Sequence, residues 1–431
     1  MKRYLPLLVV LTALCSCGPE LCDKLPEIFP DYIGVTVPEG IAPLSFDMAD
    51  GRRCRVSIRE DADTLWYSVV SGGRRYREFP VYVSHDAIDP YVAYRLIEPG
   101  YESWHDISIR ERELSGWKEK TIVDNRANDN GCLNCHTFQG GSPGRMLFHA
   151  RGKGGGTVFV DDGAARIINL ASTGPGKQGV YPAWHPSGRY VAFSSNNTQQ
   201  SFTVESTQPI EVYDTASDII LMDTLTDSII VVPQLNGPEK METFPAWSPS
   251  GDRLYYCCAD SVDNVSLNRG RVHYRLMSIA FDGTEFVGGP ETVWEDETGS
   301  ASFPRVYGDW LLFTRSDYGT FPIWHTEADL WLINLVTGEC FPADEVNSDD
   351  TESYHSWSSN GRWIVFSSRR LDGRYTRLFF SHFDGQGHFT KPFLLPQKKA
   401  SDNVLRLKSY NIPEFVSDEV PCIQEEVSEL F

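Results

Sequence analysis

A recurring aromatic–turn–strand pattern constrains the fold of this 431-residue chain more than any other feature. The stretch 180–194 reads Val-Tyr-Pro-Ala-Trp-His-Pro-Ser-Gly-Arg-Tyr-Val-Ala-Phe-Ser, and it returns at 244–256 as Phe-Pro-Ala-Trp-Ser-Pro-Ser-Gly-Asp-Arg-Leu-Tyr-Tyr. Weaker copies lie at 303–313 and 354–367. A long period built from several short strands is typical of a β-propeller. We therefore predict an all-β fold with six propeller blades, or alternatively seven.

A second constraint is the motif Cys132-Leu133-Asn134-Cys135-His136, because Cys-x-x-Cys-His is the attachment sequence of a c-type haem. Cysteines at this spacing can form thioethers to the two vinyl groups of one porphyrin, and the adjacent histidine can then reach the iron. The alternative is a Cys-x-x-Cys disulfide followed by an incidental histidine. We predict one covalent haem c per chain, held by Cys132 and Cys135, with His136 as the proximal iron ligand.

The motif does not determine the distal iron ligand. Met146 and His149 follow in one predicted strand and point to opposite faces of it, so only one of them is expected to face the iron. We favour His149 because neutral imidazole binds iron well, and the alternative is a blade histidine with no role at the metal. The further candidates are His105, His185 and His355.

Basic residues follow the motif in a chain that is otherwise acidic. They are Arg145, Arg151 and Lys153. Haem propionates are carboxylates, and arginine pairs with carboxylates in a bidentate fashion. We predict that Arg145 and Arg151 contribute to the haem site, and the alternative is a solvated basic loop.

The first residues have the build of a bacterial lipoprotein signal. Lys2 and Arg3 precede an apolar segment that is too short to span a bilayer, and the sequence then reads Leu14-Cys15-Ser16-Cys17-Gly18. This end resembles a lipobox, which implies that 1–16 is removed and that Cys17 is lipidated. We expect a lipid-anchored protein of the cell envelope, in the outer membrane or facing the periplasm. The alternative is an ordinary secreted protein with a free Cys17.

An oxidising compartment favours disulfides among the remaining cysteines. The candidate pairs are Cys22 with Cys54, and either Cys257 or Cys258 with Cys340. Because Cys257 and Cys258 are adjacent in a predicted strand, we expect at most one of them to face the core.

The repeats and motifs together resemble known proteins. The repeat is similar to the TolB-type propeller blade, in which an aromatic residue precedes Ser-Pro-Asp/Ser-Gly and an apolar strand. More narrowly, the chain resembles a group of TolB-like lipoproteins of Bacteroidetes-type bacteria that carry a single c-type haem motif. The segments that carry this resemblance lie at 89–101, 132–136, 146–157, 180–194, 211–218 and 409–415. A propeller hosts many activities, so the resemblance implies the fold more firmly than the function.

The charge of the chain restricts its partners. The formal net charge is −20, which argues against nucleic acid and against a protein that lies on anionic lipid. Basic protein partners remain open. Membrane attachment is therefore expected through the lipid anchor alone.

The domain organisation follows from the repeats and the signal. After the signal peptide 1–16 we expect a tether, a small β-module or extra blade, a propeller that contains a haem-binding loop, and an acidic tail. Their predicted bounds are, in that order, 17–35, 36–85, 86–420 with the loop at 126–144, and 421–431.

These features favour an electron-transfer lipoprotein that exchanges electrons with a periplasmic or outer-membrane partner. One alternative is a non-enzymatic TolB-like propeller that serves as a scaffold or binding protein. The other is a haem enzyme with an open iron position. We expect a carrier or binding protein rather than an enzyme.

Overall fold

The repeats fold into four-stranded antiparallel sheets arranged as the blades of a β-propeller. The structure is a computed structural model that describes residues 18–99, 106–152, 154–170, 178–203 and 208–431. It contains six such sheets, together with a separate N-terminal β-module. The predicted six-bladed, all-β fold is confirmed.

Blade 1 combines strands from the two ends of the propeller sequence. Its strands are β9 (Tyr91–Ile97), β10 (Ser108–Glu113), β11 (Glu119–Asp124) and the C-terminal β32 (Ser409–Val416). The order in the sheet is β11-β10-β9-β32, so the last strand occupies the innermost position. Pairing of β32 with β9 therefore closes the ring.

Blades 2 to 6 are each formed by four consecutive strands, and the first strand of each is innermost. Blade 2 contains β12 (Leu133–Phe138), β13 (Arg145–Ala150), β14 (Gly156–Asp161) and β15 (Ala164–Ile168). Blade 3 contains β16 (Val180–Trp184), β17 (Tyr190–Phe202), β18 (Ile210–Asp223) and β19 (Ser228–Val231). Blade 4 contains β20 (Lys240–Trp247), β21 (Arg253–Asp260), β22 (Arg275–Phe281) and β23 (Phe286–Trp294). Blade 5 contains β24 (Ser300–Tyr307), β25 (Trp310–Ser316), β26 (Asp329–Asn334) and β27 (Cys340–Pro342). Blade 6 contains β28 (Glu352–Trp357), β29 (Trp363–Ser368), β30 (Arg377–His382) and β31 (Phe393–Leu394).

The N-terminal β-module consists of a six-stranded sheet and a two-stranded sheet, β2 with β4, and is not an extra blade. Its strands are β1 (Glu20–Leu21), β2 (Ile28–Phe29), β3 (Thr36–Pro38), β4 (Asp47–Met48), β5 (Arg55–Asp61), β6 (Thr64–Ser71), β7 (Arg74–Arg75) and β8 (Phe79–Ser84). The predicted tether 17–35 is largely part of this module, because β1 pairs with β7 and Tyr32 is fully buried. Apolar side chains of the module share one core with blades 1, 5 and 6.

Both faces of each blade pack against neighbouring blades. For this reason the expectation that at most one of Cys257 and Cys258 faces the core was wrong. Cys257 packs into the cluster that includes Phe303, and Cys258 packs into the cluster that includes Trp247, so both thiols are buried. None of the eight cysteines in the described residues is paired in a disulfide.

Helices are few and short. The α-helices are α1 (Val265–Asn268), α2 (Asp402–Leu405) and α3 (Gln424–Ser428). The 3₁₀ turns are Asn125–Asn128, Gln139–Gly141, Pro233–Leu235, Arg269–Arg271 and Pro322–Trp324. The predicted acidic tail 421–431 includes α3, whose Val427 is fully buried in a core shared by blades 1 and 2. None of the helices that the structure describes has the length and hydropathy of a membrane-spanning segment.

The innermost strand of every blade contains a bulge at the propeller axis. At each bulge one residue has a positive φ near 50°, a left-handed conformation that is uncommon for residues other than glycine. These residues are Cys135, Tyr181, Phe244, Phe303, Tyr354 and Ile412. The residues that follow them are His136, Pro182, Pro245, Pro304, His355 and Pro413. The bulges bring six equivalent positions together around one axis.

Candidate functional site

The Cys-x-x-Cys-His motif lies mainly in a strand and not in the loop predicted at 126–144. Leu133–Phe138 forms β12, and Asn134 pairs with His149 across the ladder to β13. The ladder skips Cys135 and His136, which form the bulge of blade 2. Cys135-His136 therefore occupies the position at which blades 3, 4 and 5 carry an aromatic residue followed by proline. Sequence reasoning missed this strand because the aromatic–proline signal is replaced there.

Two adjoining cavities lie beside the motif. One has a volume of about 900 Å³ and the other of about 340 Å³. Both are lined by Asn134, Cys135, Arg151 and Tyr181. Cys132 lines the smaller cavity, so the two cysteines of the motif face one space. Volumes of this size are typical of cofactor and ligand sites.

His136 is buried, and its ring nitrogens make no hydrogen bond within the described residues. Its side chain is 1% exposed, and neither ring nitrogen has a hydrogen-bond partner among the described residues. Burial, with a smaller effect of Arg95, lowers the pKa of His136 to about 3. The imidazole is therefore neutral at physiological pH, which is the form that binds metals.

His136 does not line the two large cavities. It lines a compartment of about 20 Å³ at the axis. Tyr181 and Ile412 line both this compartment and the smaller thiol cavity, so the spaces adjoin. A group that binds both the two thiols and His136 would have to cross this boundary.

His149 faces the larger cavity from β13. It is 5% exposed, and its Nδ1 atom has no hydrogen-bond partner in the described part of the chain. Burial, with a smaller effect of Arg151, lowers the pKa of His149 to about 4. Met146 is instead buried in the hydrophobic core between blades 1 and 2. Of these two candidates, His149 is the one that lines the cavity.

The structure separates the two arginines that were predicted together. Arg151 lines both cavities. Arg145 lies at the other end of β13, where it donates a hydrogen bond of 2.9 Å to Gln139 Oε1 and lies over the Trp184 ring at 5.2 Å. Arg145 lines neither cavity, so the structure does not bring it together with Arg151 beside the two thiols. Arg145 and Arg151 lie at opposite ends of β13, and only the end with Arg151 lines the cavities.

Arg95 is a site residue that sequence reasoning missed. It lines the smaller cavity, and its Nη1 atom donates a hydrogen bond of 3.3 Å to the carbonyl oxygen of Leu133. It also contributes to the lowered pKa of His136. Arg95 lies in 89–101, one of the segments that carry the family resemblance. This resemblance was the sequence signal that could have identified Arg95 as a site residue.

The other histidine candidates are engaged elsewhere or cannot be described. His185 is buried against the Trp247 ring at 4.7 Å and hydrogen-bonds the carbonyl oxygen of Gly251 at 2.9 Å. His355 Nε2 hydrogen-bonds the carbonyl oxygen of Leu312 at 3.0 Å. His105, Lys153 and Cys17 lie outside the described residues. Within those residues, no group of three or more His, Cys, Asp or Glu side chains could hold a metal ion.

Cys132, Cys135 and the two unengaged imidazoles fit a covalently attached porphyrin in their chemistry. The two thiols can reach one space, His149 lines the adjoining space, and Arg95 and Arg151 supply positive charge. Burial raises the pKa of the Cys135 thiol, so this cysteine is protonated at neutral pH. The unpartnered His136 nitrogens remain available for a metal.

Comparisons with known proteins give similarity in fold only. No family model matches the chain, and no curated protein matches it. A solved oligogalacturonate lyase in complex with manganese is 12% identical, with a TM-score of 0.42 over 72% of this chain and 74% of that one. The oligogalacturonate lyase of Vibrio parahaemolyticus is 11% identical, with a TM-score of 0.40 over 80% and 85%. A puromycin-hydrolysing peptidase of Mycobacterium tuberculosis is 13% identical, with a TM-score of 0.43 over 85% and 57%. Similarities of this size carry no information about the activity of the chain.

Proposed function

We propose that the protein is an envelope lipoprotein that binds one c-type haem covalently and transfers electrons to or from an envelope partner. The observation that carries this proposal is the placement of Cys132 and Cys135 on one cavity, next to two buried imidazoles without hydrogen-bond partners on the nitrogens named above. A structural Cys-x-x-Cys pair would not require unpartnered imidazoles beside it. Buried polar atoms are normally hydrogen-bonded, so their exceptions call for an explanation.

Each residue has a distinct part in this proposal. Cys132 and Cys135 would hold the porphyrin through thioethers, and His136 would bind the iron as the proximal ligand. His149 is the candidate for the second iron ligand because it lines the adjoining cavity. A haem bound in this way supplies one-electron transfer at its iron, with a potential tuned by the axial ligands.

The surrounding residues keep these ligands in the required state. Burial keeps both imidazoles neutral, so no proton has to leave before a nitrogen binds a metal. Arg95 and Arg151 line the thiol cavity and can pair with the carboxylates of the porphyrin. Arg151 is an exposed residue, so that end of the site is open to solvent, as contact with the proposed redox partner requires.

Attachment to the envelope is the second part of the proposal. Cys17 would carry the lipid, and the described chain begins only one residue later, at Gly18. The net charge of −20 favours a basic redox partner through electrostatic steering.

Absorption spectra of the protein purified from its native host test this function. We expect a low-spin haem spectrum in the oxidised and reduced states that does not change with carbon monoxide, because both axial positions are filled. A high-spin spectrum that responds to carbon monoxide would instead favour a haem enzyme with an open iron position. The absence of a haem band would contradict the proposal and leave a propeller scaffold.

A further inference from the structure

The charge of this acidic protein is not evenly distributed. Residues 52–77 of the N-terminal β-module contain seven arginines and three acidic residues, a net charge of +4, whereas the module 18–85 carries −3 and the whole chain −20. The arginines are Arg52, Arg53, Arg55, Arg59, Arg74, Arg75 and Arg77, and all seven are exposed. A local basic region can attract a partner that the net charge of the whole protein would repel.

The strand register places three of these arginines on one face of the module. Arg55 pairs directly with Val70 across β5 and β6, and Val70 pairs with Arg75 across β6 and β7. Arg59 pairs with Trp66 in the same ladder. Residues directly opposite each other share a sheet face, and the side chains of this face alternate with the buried Tyr67 and Val69.

The same face carries aromatic and apolar side chains. Trp66 lies beside Arg59, whose guanidinium carbon is 5.8 Å from the centre of its ring. Tyr82, which pairs with Thr64, is 45% exposed, and Leu21, which pairs with Arg75, is 81% exposed. We call this surface, consisting of Leu21, Arg55, Arg59, Trp66, Arg75 and Tyr82, the arginine face. Asp61 lies beside the arginine face, where it pairs with Thr64 across the ladder and forms an ion pair of 3.2 Å with Arg59.

This composition fits the interface of a lipid bilayer. Tryptophan and tyrosine are enriched at the level of lipid headgroups, where their rings face the acyl chains and their polar atoms face water. Basic side chains are attracted to anionic headgroups within a short distance of the surface. An acidic protein partner would match the charge but would not require the exposed leucine and the aromatic pair.

The position of the arginine face within the chain also favours a membrane. β1 begins at Glu20, three residues after Cys17, and three residues span about 11 Å at most. Leu21 in β1 belongs to the arginine face, so a lipid on Cys17 would hold this face close to the bilayer. This argument from chain position rests on the proposed lipid anchor. The arguments from charge and from strand register do not depend on the anchor.

We propose that the arginine face docks on the surface of a bilayer that contains anionic lipid. The anchor supplies the attachment, and the arginine face sets the orientation of the protein on the membrane. The acidic remainder of the chain is repelled by the same lipids, which turns the propeller away from the surface. The net charge predicts that the protein does not lie on anionic lipid. In this proposal that expectation holds for the propeller, and the arginine face is the exception.

Vesicle sedimentation of the chain from Gly18 to Phe431 tests the docking without a lipid anchor, and it retains every residue that the structure describes. The probes are vesicles of phosphatidylcholine alone and of phosphatidylcholine mixed with phosphatidylglycerol. The test variant is R55E/R59E/R75E. The matched control is R271E/K398E/K399E, which changes the net charge equally at exposed propeller residues. Circular dichroism and thermal unfolding verify that both variants fold as the parent does.

We expect the parent to bind the mixed vesicles at low salt and to be released at high salt. An arginine near an anionic surface strengthens binding about fivefold, so the test variant should bind at least about a hundredfold more weakly. The control variant should lose much less of its affinity for the mixed vesicles. The proposal would be overturned if the parent did not bind, or if its binding did not depend on phosphatidylglycerol. It would also be overturned if both variants lost the same amount of binding affinity. Because the tested chain lacks Cys17, such a failure would leave the lipid-anchor proposal untouched.

Discussion

His136 and His355 occupy the same bulge position in blades 2 and 6, yet their surroundings differ. Both are buried, and burial lowers the pKa of each to about 3. His355 Nε2 hydrogen-bonds the carbonyl oxygen of Leu312, whereas His136 has no such partner in the described chain. His355 also has one unpartnered ring nitrogen, Nδ1, so the two sites differ at Nε2, and the proposed ligand role of His136 can be tested against His355 at the same structural position.

We therefore expect different results from alanine at the two sites. H355A should lower the free energy of unfolding by about 1–3 kcal/mol, because the carbonyl of Leu312 loses its partner, and should leave the haem spectrum unchanged. H136A should retain the covalent haem but lose the low-spin spectrum, because the thioethers do not depend on the imidazole. Denaturant unfolding and absorption spectra measure the two effects. A parental low-spin spectrum in H136A would exclude His136 as an iron ligand.

Glu242 gives a prediction for pH dependence. It is 4% exposed, and burial together with the nearby Asp218 carboxylate raises its pKa to about 7. Between the ordinary pKa of 4.5 and about 7, the folded chain holds a proton that the unfolded chain has released, so this contribution to stability is lost as pH rises.

E242Q removes this titration. The free energy of unfolding of E242Q minus that of the parent should increase from pH 4.5 to pH 7, by up to about 3 kcal/mol, and then stay constant. Urea unfolding at several pH values measures the difference, and E239Q at an exposed position serves as the control. A difference that does not change with pH would show that Glu242 is not protonated in the folded protein.

At the scale of elements, the closing strand β32 should be as important as any internal blade strand. Phe415 on β32 is 6% exposed and packs against Phe380 of blade 6 with ring centres 6.0 Å apart. F415A should lower the free energy of unfolding by about 3–5 kcal/mol, because it leaves a cavity where the ring closes. F202A, at a side chain that is 61% exposed, is the control and should change it by about 0.5 kcal/mol or less. Similar losses in both variants would argue against closure of the ring by β32.

The elements also show what the sequence could and could not predict. The repeats around Trp184, Trp247 and Trp357 predicted the blades, because each aromatic residue and turn repeats one local environment. The strand β12 was missed because Cys135 and His136 replace the aromatic residue and proline that mark the bulges of blades 3, 4 and 5. The separation of Arg145 from Arg151 was also missed, because Arg145 is the first residue of β13 and Arg151 follows its last, and the bounds of this strand were not predicted.

At the scale of the whole molecule, the proposed location depends on Cys17. C17A should release the protein from the membrane fraction or block its maturation, because the proposed acyl chains would attach to this residue. C22A, five residues further along the chain, should fractionate as the parent does. Cell fractionation followed by immunoblotting measures both. Membrane association of C17A equal to that of the parent would contradict the lipid anchor.

The central claim is that one haem is bound covalently through Cys132 and Cys135, and intact mass spectrometry under denaturing conditions tests it most directly. Thioether bonds survive denaturation, whereas a haem held only by axial ligands is lost. We predict that the parent, made in its native host, carries the mass of one haem and that C132A/C135A carries none. A parent without the added mass, or a double variant that retains it, would contradict the claim.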